Sequence, residues 1–122
     1  MSIPLELDNL RQSILIDVRK IRNIWDLKTR SRLSEILDVI CEYNDFEIIE
    51  KRYDEDMIIY ILSNSSHVSI TSFPEKKYLA FDLYICQQLE IDDISGKIFE
   101  FLVQALDANP LWSNLQIIER KF

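Results

Sequence analysis

The sequence predicts an α+β fold: a two-layer sandwich, with an antiparallel β-sheet carrying two helices on one face. Three observations predict it. Apolar residues recur at period two in several short segments, the mark of half-buried strands. They recur at period 3.6 in two longer segments, the mark of amphipathic helices. Short polar breaks separate the two kinds, so strands and helices belong to one layered body with no linker and no second domain. The 122 residues suit a single domain, with residues 1–10 as an irregular N-terminal arm.

Each element has its own signal. Residues 13–18 place Ile14, Ile16 and Val18 on one face of a strand. From Ser31 to Tyr43, Leu33, Ile36, Leu37, Ile40 and Cys41 form one helical stripe, ended by Asn44-Asp45. Residues 46–53 and 57–62 read as two strands joined by the acidic turn Asp54-Glu55-Asp56. After the polar break 63–66, a strand over 67–72 turns Val68 and Ile70 inward, and 73–77 is a loop. Residues 78–86 alternate with Leu79, Phe81, Leu83 and Ile85 on one face, and this leaves the aromatic run Phe73, Tyr78, Phe81 and Tyr84 mostly in the sheet core. Asp92 or Asp93 caps a second helix over 93–107, with Ile94, Ile98, Phe101, Leu102, Ala105 and Leu106 as its stripe. Asn109-Pro110 breaks it, and 115–118 is a last strand, giving the order β-α-β-β-β-β-α-β.

Composition narrows the function classes. One Gly and three Pro exclude collagen-like and low-complexity chains. No apolar run approaches the ~20 residues of a membrane span, and the first residues lack the basic region of a secretory signal, so a cytoplasmic location is expected. With one His and no CxxC, no zinc site is expected. Cys41 and Cys86 lie in apolar sequence and read as reduced thiols. The net charge of −7 disfavours nucleic acid and anionic membranes as partners. Residues 11–32 carry seven Lys or Arg against two Asp, whereas 35–56 carry nine Asp or Glu against Lys51 and Arg52. That pattern reads as two faces of opposite sign. On a helix over 31–43, Glu35, Asp38 and Glu42 fall outside the apolar stripe as one ridge, and Asp54, Glu55 and Asp56 extend its field. Such a surface suits a protein partner with a basic face; a homodimer is also compatible. Trp25 and Trp112 read as packing residues, with a partner anchor as the competing role.

The stretch that carries chemistry runs from Leu62 to Cys86. It contains Ser66-His67 at a strand start, Phe73-Pro74-Glu75 in a loop, Ala80-Phe81-Asp82 in the next strand, and Cys86 twenty residues after Ser66. This pattern resembles the core of the bacterial and archaeal S-adenosylmethionine decarboxylases, a pyruvoyl-dependent family, and the element order agrees over about residues 12–120. The resemblance implies the same sandwich. It also implies a chemistry in which a serine hydroxyl attacks the preceding carbonyl and the chain breaks to leave a pyruvoyl group. That group draws electrons from the substrate as CO2 leaves, and a cysteine returns a proton. By resemblance Ser66 is the pyruvoyl precursor and Cys86 the proton donor.

Several positions depart from the family pattern. Thr71 stands where the family has its processing His, Ser65 where it has Glu, and Gln87 where it has Gly. The Gly-containing loop before the processing strand is cut to Tyr53-Asp54-Glu55-Asp56. Two readings therefore stand. One is a pyruvoyl-dependent decarboxylase proenzyme of polyamine synthesis, with a pyruvoyl cofactor made from Ser66. The other is a non-processed relative without cofactor, acting by protein binding, such as an acidic immunity protein against a basic nuclease toxin. The altered processing positions favour the second.

Overall fold

A computed structural model describes residues 11–86 and 89–120. Six segments form strands: β1 (Arg11–Arg19), β2 (Ile48–Tyr53), β3 (Met57–Leu62), β4 (Ser66–Phe73), β5 (Tyr78–Ile85) and β6 (Asn114–Arg120), with burial alternating at period two in β1, β3, β4 and β5. They form one antiparallel sheet in the order β2-β3-β4-β5-β1-β6. Period 3.6 carries two segments into long helices, α2 (Arg30–Tyr43) and α3 (Ile91–Ala105). A five-residue helix α1 (Ile24–Lys28) and a 3₁₀ turn over Pro74–Lys76 complete the chain. Among the described residues, no helix is long and apolar enough to cross a membrane.

The predicted sandwich is present. The residues expected to point inward do so: Ile14, Ile16 and Val18 of β1, Val68 and Ile70 of β4, and Leu79, Phe81, Leu83 and Ile85 of β5 are buried beneath the helices. Ile58, Tyr60 and Leu62 of β3 extend the same layer. From α2 come Leu33, Ile36, Leu37, Ile40 and Cys41, and from α3 come Ile91, Ile98 and Leu102, followed by Leu106. Burial of such side chains at about 1.5–3 kcal/mol each is the main source of stability.

Boundaries and minor elements differ from the sequence reading. β1 and β6 are longer than expected because each pairs with its neighbour through polar residues that alternation does not flag, such as Gln12↔Glu119. α1 is too short to show a period in sequence. α3 starts at Ile91, so Asp92 and Asp93 lie in its first turn, where they face the positive end of the helix dipole, and are not caps. Of the aromatic run, only Phe81 is core; Phe73, Tyr78 and Tyr84 lie half-buried on the uncovered face, where Phe73 stacks on Tyr78 at 5.2 Å. Trp25 and Trp112 do not pack: they are 74% and 61% exposed. The expected N-terminal arm lies outside the described residues.

With one glycine in the chain, the tight turns use other residues. Asp45, Asn64, Ser65, Lys77 and Asp107 all hold positive φ, at a cost of roughly 1–2 kcal/mol per residue.

α2 is tied to the sheet by a polar hub. The fully buried Tyr60 ring sends its hydroxyl towards the helix, donating to Asp38 Oδ1 at 2.7 Å. Because a carboxylate only accepts, the Ser34 hydroxyl, 2.5 Å away, donates to the Tyr60 oxygen. Lys51 of β2 donates to the same Asp38 oxygen at 3.0 Å. Burial, with the hydrogen bond to Asp38 adding to it, raises the Tyr60 pKa. On the uncovered face, Tyr78 donates to Asp17 and is pushed up to about 12, first by burial and then by that bond.

Two outcomes follow. Asp38→Ala leaves the Tyr60 hydroxyl without its charged acceptor and lowers stability by about 1–2 kcal/mol, the solvent-facing Lys51 bridge adding little. Glu35→Ala, whose carboxylate meets only Arg32 in solvent, stays within about 0.5 kcal/mol in the same denaturant titration. The second outcome concerns pH. Tyr78 holds its proton more tightly folded than unfolded, so its contribution is complete below its ordinary value of 10.0 and is lost as pH rises towards about 12. The melting temperature should fall over that window, and fall less in Tyr78→Phe.

Candidate functional site

The site is built at one end of the sheet by the turn between β3 and β4. Asn64 and Ser65 hold φ of 61° and 59°, and Ser66 N–H donates back to the Ser63 carbonyl at 3.3 Å, the form of a type I′ hairpin turn. The Ser65–Ser66 peptide bond therefore follows a non-glycine residue held in the left-handed region. Ser66 begins β4 with its side chain on the helix-covered face, 5% exposed.

Pairing of β4 with β5 then delivers Cys86. With His67 opposite Tyr84, the chain leaves β5 beside the turn. Cys86 N–H donates to Ser66 Oγ at 3.0 Å, and Cys86 Sγ–H donates to the Ser65 carbonyl oxygen at 3.3 Å. The two residues singled out by resemblance are thus in contact, and the thiol rests on the carbonyl that precedes Ser66. The thiol is half-buried and meets a backbone carbonyl, so it is not sealed in the core as its sequence context suggested. The Ser66 hydroxyl reaches only the Asn64 carbonyl, at 3.5 Å. Among the described residues, no carboxylate or imidazole hydrogen-bonds to Ser66 Oγ.

A polar recess of about 100 Å3 adjoins Ser66 and is lined in part by Asp45, Glu47 and Asn64. The sequence reading had not singled out Asp45 or Glu47 for this site. They arrive because the Ser63 N–H bonds the Glu47 carbonyl at 3.0 Å, which continues the β2–β3 pairing past Ile48 and Leu62.

The other positions lie elsewhere. Thr71 is five residues from Ser66, an odd offset that turns it to the uncovered face, about 16 Å along the strand. His67 is also on the uncovered face, stacked on Tyr84 with centroids 5.2 Å apart, so its ring is turned away from Ser66 despite adjacency in sequence. Asp82 of Ala80-Phe81-Asp82 shares that face; burial raises its pKa while the His67 charge pulls it down. Gln87 lies outside the described residues. Both cysteines are free. Cys41 is buried, and burial, reinforced by Asp38, pushes it up to about 11. No group of three or more His, Cys, Asp or Glu among the described residues is arranged to hold a metal ion.

The expected acidic ridge is not continuous. Glu35 and Glu42 face solvent, but Asp38 turns towards the sheet and is taken up by Tyr60 and Lys51. Asp54, Glu55 and Asp56 are exposed at the other end of α2, where Lys28 and Arg30 line the same cleft of about 290 Å3. Arg30 donates to the Asp54 carbonyl at 2.9 Å. The basic and acidic segments therefore meet, and do not form two separate faces. Reversing Glu35, Asp38 and Glu42 together would damage the fold through Asp38.

The chain is thus an α+β sandwich in which Ser66 opens a central strand and Cys86, just past the next strand, rests on the Ser65 carbonyl. A sequence model of the S-adenosylmethionine decarboxylase family matches residues 2–121, and this chain belongs to that family. Among solved structures, it is similar to the adenosylmethionine decarboxylase from Aquifex aeolicus VF5. That match has a TM-score of 0.75 and 18% identity, covering 94% of this chain and 93% of the other. The likeness establishes the fold. The solution structure of PA4090 from Pseudomonas aeruginosa aligns over 88% of this chain and 95% of its own at TM-score 0.41 and 9% identity, too low to carry an argument. No curated protein matches the sequence.

The two thiols should separate chemically. Iodoacetamide at pH 8 should add one carbamidomethyl group rapidly, at Cys86, and reach Cys41 only in denaturant; peptide mapping by mass spectrometry locates the label. Equal labelling of both in the folded protein would contradict the burial of Cys41.

Proposed function

We propose that this chain is a non-processed member of the family, which keeps Ser66 as a serine and acts by binding another protein. The partner class is a protein with a basic surface, and the mode is that of an acidic immunity or inhibitor protein neutralising a basic toxin such as a nuclease. The surroundings of Ser66 Oγ carry this reading. The hydroxyl accepts from Cys86 N–H, and among the described residues no carboxylate or imidazole hydrogen-bonds to it, Asp45 and Glu47 only lining the recess beside it, whereas self-processing requires its proton to be removed. Thr71 can neither titrate near neutrality nor reach Ser66 along the strand. The net charge of −7 supports a cationic partner by speeding encounter.

A single contact favours the alternative, a pyruvoyl-dependent proenzyme of polyamine synthesis. Cys86 Sγ–H polarises the Ser65 carbonyl, the group a serine hydroxyl at Ser66 would attack. Ser66 and Cys86 fit a group made from this serine, which would supply an electron-withdrawing ketone. In that case Cys86 holds a proton beside it, and Asp45 and Glu47 flank the recess.

Intact mass of the purified protein separates the readings. One species of 14.5 kDa is expected, and Thr71→His should leave it uncut. Two fragments divided between Ser65 and Ser66, together with release of CO2 from S-adenosylmethionine, would replace the binding reading with the enzyme.

A further inference from the structure

α2 runs from the Arg30–Asp54 end of the sheet towards the Ser66 end, and α3 runs back, since the chain just beyond it, at Asp107, accepts from Arg22 N–H. The two long helices are antiparallel, and they do not close on each other. Between them lies a groove of about 260 Å3, lined by Val39, Ile40 and Tyr43 of α2 and by Lys97, Ile98 and Phe101 of α3. That exceeds the ~150 Å3 of an apolar cavity able to hold benzene, and leaves room for about two apolar side chains.

Val39 and Tyr43, one turn apart, are 46% and 68% exposed although they face the neighbouring helix. Water therefore covers apolar surface that a third helix could cover instead. The rim is acidic. Glu42 and Glu100 are both exposed, without an ion-pair partner among the described residues. The carboxyl end of α2, at Tyr43, adds the negative end of its dipole. Among the described residues, Lys97 is the cation lining the groove; Asp93 holds it at 3.0 Å, and it lies 6.0 Å from the centre of the Tyr43 ring.

We infer that this groove docks a cationic amphipathic helix of a partner protein. Its apolar side chains, spaced at i, i+3 or i+4 and i+7, would enter between Val39, Tyr43 and Phe101, and its Lys or Arg residues would meet Glu42 and Glu100. A helix suits a cleft between two antiparallel helices, because its ridge of side chains fits the groove they leave. A second copy of this chain does not suit it, because each copy would bring Glu42 and Glu100 against the other's. The inference rests on the reading of the chain as a binding protein, and it moves the contact from the Glu35–Asp38–Glu42 ridge to the helix groove.

The test uses the full chain and a fluorescein-labelled peptide of about 18 residues, made of Leu and Lys at helical period, with a scrambled peptide of the same composition as control. Fluorescence anisotropy should show the patterned peptide binding at least tenfold tighter than the scrambled one. The double variant Val39→Ser with Tyr43→Ser should weaken binding tenfold or more, both positions being exposed enough to spare the fold. Glu42→Lys with Glu100→Lys should weaken it and flatten its dependence on salt, while Glu35→Lys leaves it unchanged. Equal affinity for the two peptides, or full affinity in the Val39/Tyr43 variant with native circular dichroism, overturns the inference. Intact mass of the same sample keeps the two failures apart. A cut chain that still binds the peptide removes the non-processed reading alone, and an uncut chain that does not bind removes the groove alone.

Discussion

The register of β4 against β5 is the constraint on which the rest depends. With His67 opposite Tyr84 and Ile70 opposite Phe81, the inward residues of both strands meet α2 and α3. A slip of β4 by one residue would turn Val68 and Ile70 to the uncovered face and lose about 1.5–3 kcal/mol for each. The same register seats Cys86 N–H on Ser66 Oγ and Cys86 Sγ on the Ser65 carbonyl. The geometry of the Ser–Cys pair is therefore fixed by the packing of the core and does not depend on a flexible loop. A family member that lost its chemistry would keep this arrangement for as long as it kept its fold.

The way α2 is held decides which charges are free to act outward. Asp38 looks in sequence like one more solvent carboxylate between Glu35 and Glu42. In the fold it accepts from Tyr60, the largest buried side chain of β3, and from Lys51 of β2. A buried hydroxyl needs a partner, and α2 supplies it in Asp38. Arg30 and Lys28 likewise lie against the acidic turn at 54–56. The carboxylates without an ion-pair partner among the described residues include Glu42 and Glu100, on the two helices that flank the cleft, next to the exposed carbon of Val39 and Tyr43.

Backbone strain collects where the chemistry of the family would occur. Asn64 and Ser65 both hold positive φ immediately before Ser66, which stores energy beside the one peptide bond that family chemistry would break. Strain of this kind also closes turns at Lys77 and Asp107, away from the Ser66 recess. It is thus a property of a chain with a single glycine, and by itself does not favour cleavage. What separates the two readings is that, among the described residues, no basic group hydrogen-bonds to Ser66 Oγ.

The sequence by itself determined the layers of this protein. Alternation of Ile14, Ile16 and Val18, or of Leu79, Phe81, Leu83 and Ile85, states which face of a strand is buried, because side chains there point strictly up and down. The stripe from Leu33 to Cys41 does the same for α2. Spacing also flagged Ser66 and Cys86 as a pair, through likeness to a family. Only the tertiary structure decided which residues surround that pair and which charges remain free. Asp45 and Glu47 reach the Ser66 recess through a pairing between residues 47 and 63, Thr71 and His67 turn to the opposite face, and Asp38 is consumed by a tyrosine 22 positions away. Local periodicity reports burial, which depends on one face of one element. Hydrogen-bond partners and neighbouring charges depend on how elements meet, and no single segment encodes that.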